Sequence, residues 1–190
     1  MLSKRLRETV WYHGTPSLRS AQQIIKNGIV PLTGKRRSDK TGEPPSRRGR
    51  VYLTSDVSTA AGYAGPSGYV FVVPGSNLVE IEPDEDALLL LSISAMNDRS
   101  ANMRDLQKLL RSRDSSSDSF FSDAIPEMNQ KMIEWIVSMT STLAHVGPVC
   151  PTHVYKIDGK KMTKQKYVAK LTASKPVAID PACTGDYRGP

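Results

Sequence analysis

Residues 50–75 read RVYLTSDVSTAAGYAGPSGYVFVVPG, and this stretch limits the folds open to the chain more than any other. RVYLTS is rich in residues that suit a pleated strand. DVSTAAGYA places Asp56 as an N-cap before two turns of helix, and GYVFVVPG is an apolar run between glycines, the pattern of a buried strand. Strand, short helix and strand in immediate succession predict a mixed α and β domain.

The flanks extend that reading. Upstream, residues 9–12 read as a short strand. PSLRSAQQIIKNG follows with Ser17 as N-cap, with Leu18, Ala21, Ile24 and Ile25 on one face, and with Asn27 and Gly28 as a stop signal. Downstream, NLVEIEP alternates like a strand, runs into an acidic turn and leads to an apolar segment of either type. Residues 100–112 have a helical pattern, and SRDSSSDS at 112–119 is a low-complexity linker. After Pro126, Met128, Met132, Trp135, Ile136, Met139 and Leu143 recur at helical spacing, which predicts a helix over 124–144. THVYKI, a turn at Asp158 and Gly159, and KYVAKLTASKPVAI read as closing strands. The expected fold is a single α+β domain over 1–190: a split mixed β-sandwich, or small mixed sheet, with a helical block inserted at about 84–144.

The 190 residues suit one domain with a sizeable core. The longest apolar run, ALLLL at 87–91, is far below the ~20 residues that a bilayer span needs. The basic, polar N-terminus offers no secretory h-region, so the cytoplasm is the expected location. Cys150 and Cys183 lie outside any CxxC pattern and suggest neither a disulfide framework nor a zinc site; both read as structural, and no metal is expected. Net charge is +7. The excess is concentrated in GKRRSDKTGEPPSRRGR at 34–50, where Lys35, Arg36, Arg37, Lys40, Arg47, Arg48 and Arg50 face only Asp39 and Glu43. A solvated surface loop accounts for this as readily as an anionic partner does.

The string YHGT at the end of the first strand, a helix closing at NGI, and then VYLTSDVSTAAGYA together resemble the ADP-ribosyltransferases of the histidine–tyrosine type. That family includes diphtheria-like toxins, poly(ADP-ribose) polymerases and small bacterial and phage transferases. The resemblance covers about residues 9–75 and includes the spacing that separates Tyr52 from Tyr63. It implies NAD as co-substrate. Gly14 would let the backbone approach the nicotinamide amide. His13 would donate from one ring nitrogen to the adenosine-side ribose while the backbone fixes the other, and Thr15 would add a hydroxyl. Tyr52 and Tyr63 would sandwich the nicotinamide ring. Where the family usually has a serine three residues before the second aromatic, this chain has Ala60, with Ser58 and Thr59 as substitutes.

The family also places a glutamate at the start of a late strand, and three segments compete for that role. Glu134 in IEWIV imitates the string, but it falls inside the predicted helix on the face opposite Met132, Ile136 and Met139, where it would be solvated. The strand reading of TKQKYVAKL selects Gln165, which hydrogen-bonds a ribose hydroxyl without adding charge. The acidic turn from Glu82 through Asp84 and Glu85 to Asp86 is the third option, because some small antibiotic-modifying transferases take their acid from the segment after the corresponding strand. Topology favours Gln165. The resemblance therefore implies a mono-ADP-ribosyltransferase, as a toxin or defence effector that an antitoxin would neutralise. The basic stretch favours RNA or single-stranded DNA as acceptor. The alternatives are a non-catalytic module binding NAD or nucleic acid on the same fold, and an RNA 2′-phosphotransferase, whose arginine pattern is not found here.

Overall fold

The computed structural model describes residues 2–31, 47, 49–94, 100–111, 123–159 and 162–183. The expected linker at 112–119 and most of the basic stretch 34–50 lie outside the described residues. In chain order the elements are α1 (Lys4–Glu8), β1 (Val10–Thr15), α2 (Leu18–Asn27), β2 (Arg50–Thr54), α3 (Val57–Ala64), β3 (Tyr69–Pro74), β4 (Ile81–Glu82), α4 (Glu85–Ser94), α5 (Ala101–Arg111), α6 (Gln130–Thr140), β5 (Thr142–Val146), β6 (His153–Lys156), α7 (Lys164–Ala173) and β7 (Val177–Ala178). None of the described helices is long and apolar enough to cross a membrane.

Local chemistry explains most of the boundaries. The Ser17 hydroxyl accepts from the Ser20 amide at the start of α2, the Asp56 carboxylate accepts from the Ser58 and Thr59 amides at the start of α3, and Asn129 caps α6. Two expectations fail. The helix predicted over 124–144 is a 3-10 turn at Ile125–Glu127 followed by α6, and it stops at Ser141. There a left-handed φ of 59° turns the chain into β5. Of the expected closing strand KYVAKLTASKPVAI at 166–179, only Val177–Ala178 is strand; residues up to Ala173 belong to α7, in which Tyr167 and Leu171, four residues apart, are the buried pair.

The strands form one open sheet in the order β4-β5-β2-β1-β3-β6-β7, and every pairing is antiparallel. The fold class is α+β as expected, but the sheet is wholly antiparallel rather than mixed. β1 pairs with β3 at all six of its residues, and β2 pairs with β5 at all five, yet β1 and β2 meet only at Tyr12 opposite Thr54. Past that point no further ladder pair joins them, although the register would set Gly14 opposite Tyr52 and Thr15 opposite Val51.

Alternation along the strands gives the sheet two faces. Trp11, Val51, Leu53, Phe71, Val73 and Leu143 belong to the main core, with Ala21 and Ile24 of α2, Leu88 of α4, Met103 and Leu106 of α5, and Ile136 of α6. Leu18 and Ile25, expected on that buried face of α2, are exposed. On the other face, Tyr12 and Val70 meet Ala60, Ala61 and Ala64 of α3 and Tyr167 and Leu171 of α7. The alanines of α3 let α7 lie close against it.

Cys150 and Cys183 form a disulfide, with Cα atoms 5.9 Å apart and a sequence separation of 33. The bridge corrects the reading that the two cysteines suggest no disulfide: proximity at this sequence separation has no local signature. Chain-entropy arguments put the contribution of a loop of that size at about 3–4 kcal/mol. Reduction, or Cys150→Ser, should lower the urea midpoint accordingly, and an unchanged midpoint in reductant would show that the bridge stabilises nothing.

Candidate active site

The gap between β1 and β2 gathers most of the residues singled out from the sequence. Because the ladder stops at Tyr12, the Tyr52 carbonyl has no β1 amide opposite, and His13 Nδ1 takes it at 3.1 Å. A carbonyl only accepts, so Nδ1 carries the proton. Burial lowers the pKa of this imidazole, with the Tyr52 carbonyl partly offsetting it. The ring is therefore neutral near pH 7, and Nε2 is left as an acceptor. On this geometry Nε2 is an acceptor, whereas the resemblance implied a donating nitrogen there.

Gly14 lies directly beneath α3. A Cβ at this position would stand 2.0 Å from the Ala60 carbonyl oxygen and 2.9 Å from the Ala64 amide nitrogen. Only glycine admits the helix at this distance. Ala60, where the family usually has serine, is fully buried at that contact. The Thr59 hydroxyl donates to Asp56 and so serves the helix cap. Thr15 is buried at the end of β1, and Tyr63 is 71% exposed on the last turn of α3.

Tyr52 shares a sheet face with Gly14, with Thr142 and Ala144 of β5, and with Glu82 of β4, as the registers of β2, β5 and β4 require. Its hydroxyl donates to Glu85 Oε2 at 2.8 Å and accepts from the Arg47 amide at 2.7 Å. Burial first, and then the negative charge of Glu85, pushes the phenol pKa far up. Arg50 Nε and Nη2 donate to the two carboxylate oxygens of Glu82, and Arg47 Nη1 adds a further bond to Glu82 at 2.6 Å. Both arginines reach from the β2 side over the small Ala144 to the edge strand β4. The expected solvated loop end is therefore a partly buried ion-pair network.

The three candidates for the acidic position separate clearly. Gln165 is exposed on the first turn of α7, so the late strand that selected it does not exist. Glu134 is helical as expected but not merely solvated: it accepts from the Ser3 amide and from Gln130, tying α1 to α6. The late strand that actually pairs with β2 is β5, and it begins with Thr142, whose buried Oγ1 has no hydrogen-bond partner. The acidic turn is the segment that reaches the cleft. Glu85 is 2% exposed and bonded to Tyr52, and burial, helped by Asp86, pushes the neighbouring Asp84 carboxyl up to about 7.

Sequence reasoning left Arg47 and Arg50 in a loop and ranked Glu85 last among the three segments. One signal could have found them, the acid-rich turn directly after a strand, since a carboxylate there needs a cation near by. Comparison with protein-family models, with curated proteins and with solved structures finds no match to this chain.

Proposed function

We propose that the protein is an NAD-dependent mono-ADP-ribosyltransferase whose dinucleotide site is the cleft between β1 and β2. One observation carries this reading: Tyr52 joins His13 through its carbonyl and Glu85 through its hydroxyl, linking an imidazole, a phenol and a buried carboxylate in a single chain of contacts. Gly14 supplies the backbone at which a nicotinamide amide would dock, and Tyr63 the exposed ring that would cover it.

In this scheme Glu85, rather than Gln165, is the acidic group. Cleavage breaks the C1′–N bond, and nicotinamide leaves with the electron pair. The ribosyl cation that develops is stabilised by the fixed carboxylate. The acceptor nucleophile then bonds to C1′ and gives up its proton. RNA or single-stranded DNA remains the preferred acceptor, through Lys35, Arg36, Arg37, Lys40 and Arg48, and the biological role proposed is that of a toxin or defence effector. Thr142 at the head of β5 favours a second reading, a module that binds NAD or nucleic acid without catalysis.

Incubation with NAD labelled in the adenylate portion, followed by separation of protein from nucleic acid, tests the proposal. Label on a macromolecule supports transfer, and its distribution identifies the acceptor. Binding without transfer selects the second reading. In the same assays Tyr63→Ala should weaken NAD binding severalfold, since ring stacking contributes about 0.5–1.5 kcal/mol beyond its area. Calorimetry showing unchanged affinity in a folded Tyr63→Ala protein would remove Tyr63 from the site.

A further inference from the structure

Arg47 stands inside the candidate cleft. Its amide donates to the Tyr52 hydroxyl, its Nη1 donates to Glu82, and its Nε lies 3.9 Å from Glu85 Oε1. That carboxylate oxygen is buried and accepts no hydrogen bond, on a side chain that is 2% exposed. The charges can be matched in pairs. Arg50 grips both oxygens of Glu82, so Arg47 is the guanidinium that answers the second carboxylate. Its fit is incomplete, because 3.9 Å is an ion-pair distance but not a hydrogen bond.

We propose that Arg47 is an internal stand-in cation: its guanidinium fills a subsite at Glu82 and Glu85 in the unliganded protein and yields it to the positively charged nicotinamide ring of oxidised NAD. The exchange part rests on the dinucleotide reading given above; the occupancy of the subsite by a guanidinium does not. Replacing one monocation by another keeps the buried Glu85 paired. The reduced dinucleotide has an uncharged ring, and its entry would leave that buried carboxylate without a cation, which is strongly unfavourable. The subsite therefore selects oxidised over reduced dinucleotide by charge. Self-occupation also lowers apparent affinity, because ligand binds only the fraction of molecules in which Arg47 has moved away.

Two measurements test this. In thermal unfolding, Arg47→Ala should melt about 5 °C or more below the native protein. Methylguanidinium should recover most of that loss, and the neutral isostere N-methylurea should not. If Arg47→Ala yields no folded protein, Arg47→Gln takes its place. An undiminished melting temperature, or equal responses to the two additives, would overturn the occupancy. In calorimetry, Arg47→Ala should bind oxidised NAD about tenfold tighter than the native protein does, as a site held closed nine times in ten would. Reduced NAD should bind weakly to both. Weaker binding of oxidised NAD by Arg47→Ala would make Arg47 a ligand-holding residue and overturn the exchange. Recovery by methylguanidinium with no NAD binding to either protein would overturn the dinucleotide reading and the exchange together, while the guanidinium subsite stands.

Discussion

Glu85→Gln is expected to lower the rate of ADP-ribose transfer by about 10²–10³-fold, the usual effect of removing one preorganised group that faces charge developing in a transition state. The substitution keeps the size of the side chain and an oxygen that still accepts from the Tyr52 hydroxyl, so the cleft should keep its shape. The loss is read from kcat at saturating NAD, so that changes in ground-state binding do not enter it. Gln165→Ala should leave transfer unchanged, because that side chain is exposed on α7. Glu134→Ala should also leave transfer unchanged, while it loosens α1 by removing the acceptor of the Ser3 amide. A fully active Glu85→Gln protein beside an inactive Gln165→Ala protein would return the acidic position to the C-terminal helix. Inactivity of Glu85→Gln together with a large fall in melting temperature would point to a structural role.

Gly14→Ala should cause a large loss of stability for a single added methyl group. The new Cβ would lie 2.0 Å from the Ala60 oxygen and 2.9 Å from the Ala64 nitrogen, both backbone atoms within α3. No side-chain rotation relieves such a contact, so the helix must lift off the sheet. Its packing of Ala60, Ala61 and Ala64 against Val70, Tyr167 and Leu171 then opens. A cost of about 3 kcal/mol or more is expected, at the upper end for overpacking, and a fall in melting temperature of about 6–12 °C. Gly65→Ala is the control. Its Cβ would meet nothing within 4 Å, and the only penalty is a φ of +68°, worth about 1–2 kcal/mol. A Gly14→Ala protein that melts within about 2 °C of the native one, a shift worth no more than ~1 kcal/mol, or above Gly65→Ala, would disprove the close approach of α3 and β1.

Short-range chemistry was readable along the chain. Ser17 and Asp56 announce α2 and α3 because a cap is a contact between residues two or three apart. GYVFVVPG announces β3 because a strand buried on both faces needs apolar residues at consecutive positions. The strings that resemble a transferase site lie on β1, β2 and α3, which the same local signals delimit.

The remainder depended on contacts between distant segments. The ten residues of α7 carry lysines in alternation, as a strand would, and also Tyr167 and Leu171 at helical spacing. Both patterns are satisfied by one sequence, and the alanine face of α3 chose between them. Leu143 continues the apolar spacing of α6 by coincidence, yet β2 needs a strand partner at that point and Ser141 turns the chain to provide it. Arg47 and Arg50 look like solvated charges until β4 brings Glu82 to them across β5, and Glu85 looks like one member of an acidic turn until the same edge strand delivers it to Tyr52. By itself the sequence determined the α+β class, the caps of α2 and α3 and the strands that carry His13, Gly14 and Tyr52, because each of these is encoded within a few neighbouring residues. Only the tertiary structure decided which acid meets Tyr52, which cations neutralise it and that Cys150 meets Cys183, because strand order and register set distances that no local pattern records.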